Sequence, residues 1–293
     1  MHPHPVFDPI GAEKMIITIA SGKGGTGKTT LSTNLATFLG KEAQLLDCDV
    51  EEPNAHLFLD IKWDEKQTVT AVIPEVDEEK CSHCGECGEI CQFKAIAPLE
   101  STVLVFPELC HSCRGCFLVC PEDAIKEGSR ELGVLETGHF NSTEFTHGRL
   151  RIGEAMAPPL IKKVKERIKP DKIAILDAPP GTSCPVVNTM MDSDYIVLVT
   201  EPTPFGLHDL KLAVGVTKKL GIPCGIVINR HGIGDNKVEQ WAENQEIPVL
   251  LKIPFDRKVA EIYAEGKLLV EELPEWSGMM KDLITKIRKT VDR

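Results

Sequence analysis

The chain has 293 residues, a formal net charge of −11, 42% hydrophobic and 5% aromatic residues, and eleven cysteines. That length can bury one large core or two, the negative charge argues against a nucleic-acid surface as the main business, and no run of ~18 apolar residues offers a membrane-spanning helix. Residues 1–14 carry three prolines and two histidines but no apolar signal core. They are expected to be a disordered leader, with Met15 a second or the native start, so the cysteines read as reduced, metal-bound thiols rather than disulfides.

Residues 15–20 form a short apolar run rich in β-branched side chains, which predicts a buried strand. Gly22-Lys23-Gly24-Gly25-Thr26-Gly27-Lys28-Thr29 follows and contains G-x-x-x-x-G-K-S/T. Residues 30–39 then predict a helix with Leu31, Leu35, Phe38 and Leu39 on one face. Strand, glycine loop and helix is the context in which backbone N–H groups, from Gly22 to Thr30, turn toward phosphates at a helix N-terminus. Lys28 can reach the β- and γ-phosphates, and the Thr29 hydroxyl can complete a Mg²⁺ shell.

Residues 43–46 predict a second strand, ending in Asp47-Cys48-Asp49. Both acids can cap the next turn. Residues 67–76 alternate weakly and predict a strand leading out of the core. From Asp77 the composition changes: Cys81, Cys84, Cys87 and Cys91 are followed by Cys110, Cys113, Cys116 and Cys120-Pro121. This is the bacterial ferredoxin spacing, twice over, and thiolates are the soft ligands that iron–sulfur clusters require. In that pattern the fourth cysteine of each run ligates the other cluster. Cys81, Cys84, Cys87 and Cys120 are therefore assigned to one 4Fe–4S cluster, and Cys110, Cys113, Cys116 and Cys91 to a second. Gln92 stands after Cys91 where proline is usual. Ala95-Ile96 and Ala124-Ile125 mark an internal repeat. Residues 77–128 hold ten acids against four Lys and Arg, net −6. That surface suits a basic redox partner or is simply a solvated face.

Residues 133–138 predict a further strand and 159–169 a helix. Residues 172–176 predict a buried strand ending at Asp177-Ala178-Pro179-Pro180-Gly181, where ligands of open α/β sheets collect. Strands at 195–200, 223–228 and 247–253 and a helix at 207–220 continue the alternation. The tail, 276–293, has Met280, Leu283, Ile284, Ile287 and Val291 at helical spacing. A basic amphipathic helix can touch an anionic membrane, but packing on the sheet is the favoured reading.

The loop G-K-G-G-x-G-K-T, the D-x-D after the second strand and the D-x-P-x-G at Asp177 resemble the deviant P-loop ATPases of the MinD/ParA class. That class includes the nitrogenase iron protein and the Mrp-type iron–sulfur carriers. The resemblance implies that Lys23 reaches across a homodimer interface to the partner's nucleotide and that Asp49 positions the attacking water. It implies that Asp47 supports the Mg²⁺ shell and that Asp177 holds Mg²⁺ through water. It further implies that Gly181 admits the γ-phosphate and that Asn229, with the loop at Pro254, reads the adenine ring. Residues 147–154, beginning His147-Gly148-Arg149-Leu150, resemble a stretch of ferredoxin-bearing members. They read as a switch, a partner contact or a structural turn. Cys184 resembles in place a cluster ligand of the nitrogenase iron protein but lacks that ligand's companion cysteine, so it reads as a small buried residue or a free thiol.

The expected fold is α/β: a doubly wound, mostly parallel sheet over 15–76 and 129–293, with an inserted α+β ferredoxin-like module at 77–128. The expected function is a cytoplasmic ATPase that binds ATP or ADP with Mg²⁺, dimerises with ATP, and carries electrons on two 4Fe–4S clusters to an unidentified redox protein. A cluster carrier or assembly ATPase and a MinD-like positioning scaffold are the alternatives.

Overall fold

The computed structural model describes residues 15–291. The expectation of a leader at 1–14 falls outside those residues. The strands are β1 (Met15–Ala20), β2 (Ala43–Asp47), β3 (Lys62–Val76), β4 (Ile96–Pro98), β5 (Val103–Val105), β6 (Ile125–Phe140), β7 (Thr143–Leu150), β8 (Ile173–Asp177), β9 (Tyr195–Thr200), β10 (Cys224–His231) and β11 (Val249–Pro254). The helices are α1 (Lys28–Leu39), α2 (Glu86–Ile90), α3 (Gly115–Val119), α4 (Ala157–Lys165), α5 (Cys184–Met190), α6 (Pro204–Leu220), α7 (Lys237–Asn244), α8 (Arg257–Ala264), α9 (Leu269–Glu272) and α10 (Pro274–Val291).

One large sheet runs β11-β10-β9-β1-β8-β2-β7-β6-β3. Pairing is parallel from β11 to β7. β6 is antiparallel to both β7 and β3. The parallel strands are buried on both faces because successive residues alternate between two apolar layers. Ile17, Ile19, Ile173 and Ile175 pack with Leu31 and Leu35 of α1 and with Met280, Leu283, Ile284 and Ile287 of α10. On the opposite face Ile196, Leu198 and Ile226 meet Leu210 and Val214 of α6. Leu46, Ala174 and Leu176 meet Leu160, Ile161 and Val164 of α4. This is the α/β P-loop fold. The apolar stripe of α10 is spent on the core, and no helix among the described residues is long and apolar enough to cross a membrane.

Two elements depart from expectation. The strand foreseen at 133–138 is part of the longer β6, which pairs with β3 along almost its whole length. Residues 143–150 form β7, a full member of the sheet beside β2, so His147 to Leu150 is strand rather than turn. Its buried Thr143, Thr146 and His147 mask the apolar alternation that would have revealed it. Residues 77–124 lie between β3 and β6 and contain α2, α3 and the small β4-β5 sheet.

Candidate active site and cysteine cavities

The loop after β1 enters α1 at Gly27, which sits at φ 97° and ψ 22°. An added Cβ there would lie 2.5 Å from Asn229 Nδ2, and one at Gly22 would lie 2.3 Å from the backbone oxygen of Asp209 on α6. Glycine is therefore required at both positions by close approach, and at Gly27 by conformation as well. Gly24 and Gly25 face open space. A cleft beside the loop is lined by Gly24, Gly25, Gly27, Lys28, Thr29, Thr30 and Asp49, and also by Asn229, Pro254, Phe255 and Tyr263. Gly22, Lys23, Thr26, Asp47, Asp177 and Gly181 flank it without lining it. Gly181, at φ 97°, donates its N–H to the Ser21 oxygen at 3.0 Å. Asn229 Nδ2 donates to the Thr26 oxygen at 2.8 Å, tying the end of β10 to the loop.

Three carboxylates surround Lys28. Burial lowers the Lys28 pKa, against the pull of Asp177, Asp49 and Asp47. Asp177 is almost fully buried at the end of β8, and burial pushes its carboxyl up to about 6, opposed by the Thr29 hydroxyl and Lys28. Its Oδ1 has no hydrogen-bond partner. Burial also raises Asp49 to about 6, opposed by Lys28. Asp47 is raised too, by burial and then by Asp177. Both Asp47 oxygens are already engaged: Asp49 N–H donates to Oδ1, and Asn54 and Ala55 N–H donate to Oδ2, each at 3.0 Å. Asp47 thus holds the 49–55 loop. An orphaned buried oxygen on Asp177 beside the Thr29 hydroxyl is a hard-oxygen donor set of the kind Mg²⁺ takes.

Lys23 does not line the cleft. Its Nζ lies 3.0 Å from Glu201 Oε2, and Arg230 holds Glu201 Oε1 at 2.8 Å. Sequence reasoning assigned Glu201 and Arg230 no role. A buried carboxylate after β9 that collects two cations is visible only once 178 residues of chain have folded between Lys23 and Glu201.

The eight cysteines of the insert fall into two cavities. Cys81, Cys84, Cys87 and Cys120 line one. Cys91, Cys110, Cys113 and Cys116 line another. Each cysteine of the first run has its counterpart 29 residues on, and the backbone repeats with it. Left-handed residues occur in the pairs His83 and Ser112, Gly85 and Arg114, and Lys94 and Asp123. Ala95 N–H donates to Cys91 Sγ at 3.2 Å, and Ala124 N–H to Cys120 Sγ at 3.3 Å. Among the described residues, no three of these sulfurs lie within 4.8 Å of one another. A tetrahedral zinc with Zn–S of ~2.3 Å would hold its sulfurs about 3.8 Å apart, closer than any three of the sulfurs stand here. Cys184, at the start of α5, is exposed, so it is not a small buried residue.

A strand, a close-packed glycine loop and a helix N-terminus, with a lysine ringed by strand-end acids, define a P-loop nucleotide-binding protein. The CobQ/CobB/MinD/ParA nucleotide binding domain family matches residues 17–270, and the chain belongs to it. It is 33% identical to an uncharacterized protein of Methanocaldococcus jannaschii, covering 94% of this chain and 98% of that one. It is 26% identical to a cytosolic Fe-S cluster assembly factor Nubp2 homolog of Anopheles gambiae, over 92% of this chain and 95% of that one. It is also 26% identical to an iron-sulfur cluster carrier protein of Aquifex aeolicus, over 89% of this chain and 63% of that one. The structure of the Pyrococcus furiosus cell division ATPase MinD matches with TM-score 0.57 and 25% identity over 94% of this chain and 99% of that one. The chain is a P-loop ATPase of the MinD/ParA type.

Proposed function

We propose that this ATPase is an ATP-switched iron–sulfur protein whose residues 77–128 form a ferredoxin-like module holding two 4Fe–4S clusters. The observation that carries the reading is the sorting of eight thiols, four and four, into two cavities related by a 29-residue repeat. Cys81, Cys84, Cys87 and Cys120 would hold one cluster, and Cys91, Cys110, Cys113 and Cys116 the other. When bound, such clusters supply one-electron storage. The Ala95 and Ala124 N–H groups donate to the Cys91 and Cys120 sulfurs and fix their positions.

In the nucleotide site, loop N–H groups and Lys28 would bind the phosphates, and Thr29 and Asp177 would hold Mg²⁺, with Asp47 bracing the loop behind. Bound Mg²⁺ supplies charge neutralisation at the β- and γ-phosphates. Asp49 lines the cleft within range of the Lys28 charge, a position from which it can orient water. Asn229, against the phosphate loop, and Pro254 also line the cleft, and the base would sit beside them. ATP would join two copies face to face, with each Lys23 leaving Glu201 for its partner's nucleotide. The setting is cytoplasmic.

Cluster carriage or assembly is the use that the named relatives support best, since two of them bear that description. Electron delivery to a redox protein is the second reading, favoured by the four cysteines at each cavity, a set that would hold a cluster rather than release it. A positioning scaffold draws only on structural likeness. One experiment separates the two uses: the anaerobic protein is mixed with an apo-ferredoxin and, separately, with an oxidised one-electron acceptor, with ATP or without. Carriage predicts ATP-dependent loss of iron from the chain to the apo-ferredoxin. Electron delivery predicts ATP-dependent acceptor reduction with iron retained.

A further inference from the structure

Arg130, on β6, is 7% exposed, and Glu154 is 9% exposed. Arg130 Nη1 donates to Glu154 Oε2, while Nε and Nη2 are buried with no hydrogen-bond partner. Arg151 also reaches Glu154, at 3.9 Å. Two guanidinium groups thus share one carboxylate, Arg130 buried and Arg151 partly exposed, and two nitrogens of Arg130 stay unmet. Buried charge with unmet N–H groups is costly unless something negative lies close.

The second cysteine cavity is close. Arg130 pairs across the ladder with Ala71 of β3. Ile73, on the same face of β3, packs against Cys110 and Ala95. Ser112, within the same cysteine run, donates its hydroxyl to the Val72 oxygen at 2.7 Å, which fastens that run to the strand. Burial and then the Arg151 charge lower the Arg130 pKa, while Glu108 and Cys110 act in the opposite direction. The first cavity has a different surround: Glu122 is in its wall, and Glu78 lies beside Cys81 and His83.

We infer that Arg130, with Glu154 as its partial counter-charge, is a positioning residue that raises the reduction potential of the cluster held by Cys91, Cys110, Cys113 and Cys116 above that of the other. The inference rests on the two-cluster reading above. Reduction brings in one electron from an external one-electron reductant, with no bond made or broken, and the cluster charge falls by one. A fixed positive charge nearby favours that reduced state, and in a low-dielectric setting the effect is large.

The test is a dithionite redox titration of the anaerobic full chain, followed by electron paramagnetic resonance. The two couples are assigned from the signal that changes in Cys84→Ser or Cys113→Ser. In Arg130→Gln the higher couple should fall by about tenfold in its reduction equilibrium, which is 59 mV for one electron. In Arg130→Lys it should stay near the wild-type value, and in Glu154→Gln it should rise. The lower couple should stay put in all three. An unmoved higher couple in Arg130→Gln with full iron, or an equal shift of both couples, would overturn the inference. If Arg130→Gln loses iron, Glu154→Gln decides: an upward shift of the higher couple alone supports the inference, and any other result overturns it. A wild-type chain without iron would instead sink the two-cluster reading, a distinguishable outcome.

Discussion

Lys23 and Glu201 form an ion pair 3.0 Å long within one protomer, between the phosphate loop and the segment that follows β9. Glu201 is nearly buried while Lys23 is one-third exposed, and Arg230 completes the cluster from the end of β10. If Lys23 serves a partner's nucleotide, this pair must break on association. Replacing Glu201 with Gln leaves two solvated cations and removes the restraint. Two such pairs break per dimer, each partly exposed and worth ~1 kcal/mol, so ATP-dependent dimerisation should tighten roughly thirtyfold, read by analytical ultracentrifugation. Lys23→Ala should abolish ATP-dependent dimer formation or turnover while leaving ADP binding intact. Equal affinity in Glu201→Gln and wild type would contradict the restraint.

The acids around Lys28 make the nucleotide site sensitive to pH. Burial raises Asp49 and Asp177 to about 6, well above an ordinary carboxylate. Between the ordinary value of ~3.9 and that raised value, the nucleotide-free fold binds more protons than the unfolded chain. Their contribution to stability is therefore present at low pH and lost as pH rises through about 6. Mg²⁺ needs the ionised Asp177 carboxylate, so the affinity for Mg·ADP should climb through the same window. Titration calorimetry from about pH 5 to about pH 8 checks this, and a flat profile would count against Asp177 as the Mg²⁺-holding acid.

Asp177→Asn separates stability from function. The substitution removes a buried charge that lies beside Asp49 and Asp47. Thermal melts of the nucleotide-free protein should show a gain of roughly 1–3 kcal/mol. Mg²⁺-dependent nucleotide affinity should fall by about tenfold or more. A destabilised, Mg²⁺-responsive variant would contradict both halves.

The role of α10 can be tested in the same way. Leu283 is fully buried against the sheet. Leu283→Ala should destabilise the fold by about 2–5 kcal/mol in denaturant melts. The wild-type chain should not bind anionic vesicles through this face, because its apolar stripe is already covered. ATP-dependent vesicle binding lost in Leu283→Ala without loss of stability would contradict that.

How much of this was legible in the sequence depended on how local the signal was. The run from Met15 through Thr29 to Leu39 announces strand, loop and helix by itself, because the glycines and the periodicity are contiguous. The two cysteine runs are equally local. β7 was hidden because its core-facing positions include Thr146 and His147, and His147 is held by a hydrogen bond to Glu136 of β6 at 3.0 Å. No periodicity anticipates a polar pair buried between two strands. The outer part of β3 carries Lys62, Asp64, Glu65 and Lys66 and reads as loop; the ladder to β6 makes it strand. Glu201 and Arg130 escaped for the same reason: each acquires its role from a partner distant in the chain.

The central claim is that one chain joins a MinD/ParA-type ATPase to a pair of iron–sulfur clusters. The most direct measurement is iron and acid-labile sulfide per chain, on protein purified without oxygen. The account predicts about eight of each, with Cys84→Ser and Cys113→Ser each perturbing one cluster alone. A chain that is free of iron, or that carries zinc in its place, would contradict it.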